Sequence, residues 1–273
     1  MRQVSQATVV RPVIWEGTSL DTGQIGRWVI LPARQNTGIV FLRQLENLEV
    51  VRFNATYRNI SHSDGFVRIG SKFAGMNAVE HTLAILHGTG ITNAEILCET
   101  ENPPENSALF TQKILSEKTF QRKKIEYRQY EDYTFKCGDR SIRVEKSDRF
   151  RVSCEFNFDS RHLTETLRYS IVITPESFRD KICEARTFCT STYLKTLQDE
   201  HRALGAKEKN CVILPEEKEC FVFDKTEIVR HKILDFIGDI FLCGKPVLGD
   251  FYLCDPNHTT SFLFHQEVDF NAV

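Results

Sequence analysis

The sequence predicts an α+β chain, and three observations carry that prediction. Strand-like stretches open it, a run of strict period-two alternation lies past its middle, and two stretches space their apolar residues as a helix does. With 273 residues there is room for one or two domains and a sizeable core.

In order, Thr8 to Ile14, Gly26 to Pro32 and Gly38 to Arg43 read as strands, rich in Val, Ile and aromatic residues. Met76, Val79, Leu83 and Leu86 then recur at helical spacing, and Gly88 and Gly90 end that helix. A strand at Ala94 to Cys98 and a helix near Ser107 to Glu117 follow, with Gln121 to Ile125 as a plausible boundary. The cluster Lys118 to Lys124 is the basic run of the chain and reads as a solvated helix end and linker rather than a phosphate patch. Beyond it, YTFKCGDRSIRVEK and RFRVSCEFNFD read as strands. In the second, Phe150, Val152, Cys154, Phe156 and Phe158 alternate with polar residues. Thr174-Pro175-Glu176 is a helix start, Thr190 to Leu204 a further helical stretch, and no internal repeat or low-complexity segment is visible.

The most informative stretch is Arg230 to Pro246. At about 100° per residue, Val229, Ile233, Phe236, Ile237 and Ile240 gather on one side of a helix. His231, Asp235 and Asp239 form a row on the other, and Gly244 and Pro246 stop the helix. Side chains four apart lie one above the other, so His231 and Asp235 can reach one cation. An HxxxD spacing arises often by chance, so it gains weight only from a second candidate. Glu80 and His81 on the earlier helix supply one: a further ligand, with a carboxylate beside it to take a proton from water. Against this stands the plain reading of an exposed Glu–His pair. His258, in the turn at Asn257, follows the second helix closely enough to fold back over it. His62, His162 and His201 read as ordinary solvated histidines.

The combination VEHTLAILHGTGITN, ARTF (Ala185 to Phe188), EIVRHKILDFIGDIFLCGKPVLG and a following Asn-His resembles the UDP-3-O-acyl-N-acetylglucosamine deacetylases of lipid A synthesis. The likeness runs from about Ser5 to Gln266, with NTGIVFLR (Asn36 to Arg43) also in place. It implies two similar domains, 1–122 and 123–273, each a β-sheet with two helices, the helices between the sheets and the site at the domain interface. It implies zinc on His81, His231 and Asp235, with iron(II) as another cation that two His and a carboxylate accommodate. Glu80 would be the general base, Thr187 would help hold the oxyanion, and a protonated His258 partnered by Asp239 would assist the leaving amine. Lys232, with Phe188 and Cys189, would lie on the substrate side.

The chain departs from that family in places. Asp21 stands where a His is expected, Pro103-Pro104-Glu105-Asn106 replaces an acidic-Gly-Ser loop, Cys189 replaces a Gly, and Gly205 to Asn210 replaces a Gly-Gly-Ser stretch. These changes bear on substrate detail, with Cys189 expected to narrow or re-route the acyl passage. They leave two other readings, a zinc amidase for a different acylated nucleotide sugar and a non-catalytic paralogue that binds the lipid precursor. A net charge of −2 and a pI near 6.5 imply no nucleic-acid or membrane-surface partner. Nine scattered cysteines without CxxC spacing, and no signal peptide, point to reduced thiols in a cytoplasmic monomer. No apolar run approaches membrane-spanning length.

Overall fold

Two sheets built to one plan hold a layer of helices between them. The computed structural model describes residues 2–105, 107–160, 163–214 and 224–271. Strands β1 (Gln3–Val9) and β2 (Val13–Thr18) replace the single strand expected over Thr8 to Ile14. They are separated at Val10-Arg11-Pro12, where proline fixes φ and removes a ladder donor. Strands β3 (Ile25–Pro32), β4 (Ile39–Gln44) and β5 (Val50–Asn54) follow. Next come a small three-stranded unit, β6 (Ile60–His62), β7 (Arg68–Gly70) and β8 (Gly75–Met76), then α1 (Glu80–Thr89) and β9 (Ala94–Cys98). Strand β9 inserts between β3 and β4, antiparallel to the first and parallel to the second, giving the order β2-β3-β9-β4-β5.

After α2 (Ser107–Glu117) comes β10 (Lys118–Glu126), which pairs antiparallel with β1. The basic run and the residues 121–125 therefore lie inside a strand, not in a helix end and linker. Lys118 turns back instead, its Nζ donating to the carbonyl of Thr89 at the end of α1. The short β11 (Arg128–Gln129) leads to the hairpin β12 (Tyr133–Cys137) and β13 (Arg140–Glu145), then the long pair β14 (Phe150–Ser160) and β15 (Leu163–Val172). A capping box at Thr174 and Ser177 starts α3 (Pro175–Ser177), continued by a π turn over Phe178–Ile182.

The strand β16 (Thr187–Thr190), helix α4 (Ser191–Asp199) and strand β17 (Cys211–Leu214) form an excursion in which the two strands pair in parallel. Helix α4 ends at Asp199, short of the expected Leu204. Residues after it turn through left-handed backbone at His201 and Ala203. Helices α5 (Thr226–Phe241) and α6 (His258–Asn271) flank β18 (Val247–Cys254). Strand β18 inserts into the order β12-β13-β18-β14-β15, antiparallel to β13 and parallel to β14. Each sheet thus has two hairpins and a strand that returns after a helix to sit between them. The duplication absent from the sequence is present in the topology.

The alternation expected at Phe150, Val152, Cys154 and Phe158 is realised as a row of buried side chains, with Phe156 partly buried beside them. Trp28, Phe41 and Leu83 fill the first half of the core, and Phe236, Phe251 and Phe264 the second. Each is worth roughly 1.5–3 kcal/mol when taken from water. Helices α1 and α5 pack on one another and are buried on nearly every side. The polar row of α5 accordingly does not meet solvent: His231, Asp235 and Asp239 are all buried. A helix buried all round carries buried polar groups only where they satisfy one another or a ligand.

Candidate active site

The site forms where α1 begins. The helix starts at Glu80 rather than at Met76, because Met76 closes a strand and Ala78 turns through left-handed backbone (φ 49°). Met76 is buried all the same, which is why it joins the apolar periodicity. The later start places Glu80 and His81 in the first turn, where the helix dipole favours a carboxylate. Gly238 of α5 lets that turn come close, since a Cβ there would meet the Glu80 carbonyl oxygen at 2.0 Å.

Across this contact His81 Nε2 lies 3.1 Å from His231 Nε2 and 3.3 Å from Asp235 Oδ1. Ligand atoms at 2.0–2.2 Å from a tetrahedral cation stand about 3.3–3.5 Å apart, so these three residues fit one divalent metal ion. Two further observations support the fit. His231 Nδ1 is buried without a hydrogen-bond partner, 3.4 Å from Asp235 Oδ2, and burial pushes the His231 imidazole down to about 3, leaving it neutral as a ligand must be. Burial also works against charge on His81, yet Asp235, with Glu80 and Glu105 behind it, raises it to about 9. The local potential favours positive charge at that point, and a cation answers it.

Glu80 is held from behind by the backbone N–H of Val67, which donates to its Oε2 at 3.0 Å. Burial raises its carboxyl above the usual range, against the pull of His258 and His81. His258, the first residue of α6, stands opposite. Its Nδ1 contacts both Asp239 oxygens at 3.0 and 2.9 Å, and its Nε2 points at Glu80 Oε1, 3.9 Å away. Burial would lower His258, but the Asp239 carboxylate dominates and lifts it to about 10. A buried carboxylate and a buried, Asp-paired histidine therefore face each other beside the His81, His231, Asp235 cluster. His265, one helical heptad on, is buried too and contacts the Asp239 carbonyl at 2.8 Å through Nε2.

Lys232 contacts Asp235 Oδ2 at 3.4 Å and lies over the rings of Phe156 and Phe188. The Phe188 ring stands edge-on to His231 with centroids 6.1 Å apart. Thr187 and Cys189 point to the other face of β16, the face they share with Cys211. That face looks toward Glu105, whose carboxylate is felt by both Cys211 and His81. Of the sequence candidates, Glu80, His81, His231, Asp235, Asp239 and His258 form one cluster, with Lys232 and Phe188 at its edge and Thr187 and Cys189 on the adjoining strand. His62 and His201 are exposed as expected, and His162 lies outside the described residues.

Two site features escape sequence reasoning. One is Glu105, which stands in the altered loop but whose approach to His81 depends on the fold. The other is the pair Arg186–Glu227: Glu227 accepts from the Arg186 backbone N–H and from both arms of its guanidinium, at 2.7–3.0 Å. This fixes β16 to the first turn of α5. The signal was available, since Arg186 lies in ARTF and Glu227 opens EIVRH, but nothing in the spacing joins them. Asp21, where a His was expected, binds elsewhere. Its Oδ1 accepts from Ala203 N and its carbonyl from Leu204 N, tying the β2–β3 loop to the segment after α4.

A buried two-His, one-carboxylate cluster with a carboxylate base and an Asp-paired histidine, set between two sheet-and-helix layers, defines a metal-dependent hydrolase. Residues 6–269 match the family model described as LpxC, UDP-3-O-acyl N-acetylglycosamine deacetylase, and the chain belongs to that family. Similar proteins carry the name UDP-3-O-acyl-N-acetylglucosamine deacetylase. That of Campylobacter hominis is 29% identical over 93% of this chain and 88% of its own length. That of Chlamydia trachomatis serovar L2 is 27% identical over 94% and 92%, and that of Campylobacter concisus 30% identical over 91% and 86%.

Proposed function

We propose that this chain hydrolyses the N-acetyl amide of UDP-3-O-acyl-N-acetylglucosamine, releasing acetate in lipid A synthesis. The observation that carries the reading is that Glu80 and the Asp239-paired His258 stand 3.9 Å apart beside the His81, His231, Asp235 cluster. Those three residues would hold the cation, which we take as zinc, with iron(II) accommodated by the same donors. When bound, a divalent cation polarises a carbonyl and lowers the pKa of a water molecule to about 7. Glu80 takes the proton of the attacking water, its carboxylate aimed by Val67. His258 enters as the imidazolium, offers its charge to the developing oxyanion, and gives the Nε2 proton to the departing amine. Asp239 keeps the ring oriented and charged. Thr187 adds a hydroxyl on the oxyanion side, Lys232 and Phe188 meet the sugar nucleotide, and Cys189 borders the passage for the acyl chain.

We take the protein to act as a monomer, since the cluster and its flanking pair need no residue of a second copy. Every described cysteine is a free thiol, which fits the cytoplasm. No helix among the described residues is long and apolar enough to cross a membrane. The changed surroundings of Asp21 and Glu105 favour a second reading, the same chemistry on a related acylated nucleotide sugar. Acetate release by the metal-loaded protein, measured across a panel of acylated UDP-sugars, tests both. Release from none of them would overturn the proposal, and release from a different member would select the second reading.

A further inference from the structure

Cys189 and Cys211 place their sulfur atoms 3.6 Å apart, on neighbouring parallel strands at the wall of the site. In register, Cys211 pairs with Thr187 and Cys189 with Ile213, so the thiols are diagonal partners on the face that Thr187 also occupies. Cys189 is half-buried and open to small solutes, while Cys211 is buried beneath it. Either sulfur can donate in this contact, and the pairing holds the Cys189 thiol below its usual range, so Cys189 is the member that ionises first. Burial and this same pairing push Cys211 upward. No step of amide hydrolysis uses either sulfur.

From this geometry we infer that Cys189 and Cys211 form a peroxide-sensitive dithiol, a modification site that closes the active centre when oxidised. The Cys189 thiolate attacks one oxygen of hydrogen peroxide and becomes a sulfenic acid, releasing hydroxide that takes up the thiol's proton and leaves as water. The Cys211 sulfur then displaces the sulfenic oxygen as a second water, leaving an S–S bond. Two thiols lose two electrons and two protons, and one peroxide is reduced to two waters. Closing the sulfurs from 3.6 Å to about 2.05 Å draws β16 and β17 together along their diagonal. Diagonal Cα atoms ordinarily stand about 7–8 Å apart, wider than a relaxed disulfide spans, so the backbone must move. The segment that moves carries Thr187 and Phe188, and Phe188 rests against His231. The effect on turnover rests on the deacetylase reading above; the formation of the bond does not.

The test is to treat the metal-loaded protein with hydrogen peroxide, map disulfides by peptide mass spectrometry, and assay acetate release before and after. The expected result is a Cys189–Cys211 peptide lighter by two hydrogen atoms. Turnover should fall on the order of tenfold or more, as displacements near 1 Å in a site produce, and dithiothreitol should restore it. Cys211→Ala should keep the untreated rate and lose the peroxide response. Failure to map the 189–211 bond in the wild-type chain overturns the proposal, and a mapped bond with unchanged turnover overturns its gating role. A mapped bond in protein that releases no acetate beforehand supports the modification site while removing the deacetylase reading.

Discussion

Gly238 lies directly against Glu80, so close that a Cβ on Gly238 would meet the Glu80 carbonyl oxygen at 2.0 Å. The contact is between backbones, and it sets the distance between the helix that supplies Glu80 and His81 and the helix that supplies His231, Asp235 and Asp239. Two helices from two halves of the chain thus share a site because one residue has no side chain.

Gly238→Ala therefore forces α1 and α5 apart, since the obstructing atom is backbone and cannot rotate away. Overpacking of this kind costs about 1–3 kcal/mol, read as a lowered thermal midpoint. The separation also pulls His81 from Asp235, so metal content should drop with stability. An alanine variant with wild-type metal content and melting would show that the helix spacing is not set here.

His231→Ala should abolish binding of divalent metal, measured by elemental analysis of the purified protein, while the fold persists. His231 Nδ1 makes no hydrogen bond and stands 3.4 Å from Asp235 Oδ2, while His81 keeps its own 3.3 Å contact with Asp235, so the variant loses a ligand and leaves His81 paired. One equivalent of metal retained in that variant would exclude the assigned cluster.

Glu80→Gln should leave the metal in place and lower kcat by about a hundredfold or more, the usual worth of a general base. The amide still accepts the Val67 N–H, so the position of the side chain is preserved. Near-normal turnover would mean that another group takes the proton.

The sequence made the chemistry of α5 legible, because a His and two Asp on one helical stripe are poor candidates for a solvated face. It left open what covers that stripe. Periodicity separates apolar from polar positions but does not say that both faces are buried, as they are once α1 covers the polar one. The pairing of Asp239 with His258 was readable only through resemblance, since the contact bridges two elements joined by a whole strand. The repeated sheet plan came only through the resemblance and left no repeat in the residues, because strand order survives changes that erase sequence likeness. Glu105 and the Arg186–Glu227 pair were hidden for the same reason: their partners are distant in sequence and adjacent only in the fold.

Glu227→Ala should release β16 from α5. Three hydrogen bonds end on this carboxylate, which is mostly buried while Arg186 is about a third exposed. Charged hydrogen bonds of this type are worth about 1.5–3 kcal/mol, discounted here for the exposure of the guanidinium. A loss of about 1–2 kcal/mol in urea unfolding is expected. A double-mutant cycle with Arg186→Ala should recover most of it as coupling, and strictly additive effects would show that the two residues do not act together.

His258 makes both stability and rate depend on pH. Asp239 from its own neighbouring helix, Glu80 from α1, and Asp235 beyond them all face this imidazole, and they hold its proton to about 10 against the opposing effect of burial. In the unfolded chain a histidine titrates near 6.5. The folded value is the higher one, so the folded protein binds the proton more tightly between these limits, and stability falls as pH rises through that window. In metal-free protein the stabilisation from His258 should be complete below about pH 6.5 and decline toward pH 10. The difference in unfolding free energy between wild type and His258→Gln should shrink over the same range. The loaded enzyme should show the matching signature in rate: His258 acts as its protonated form, so its ionisation belongs to the alkaline limb of the kcat/KM profile and should vanish in His258→Gln. An alkaline limb that survives the substitution, together with a pH-independent stability difference, would show that His258 is not the proton donor.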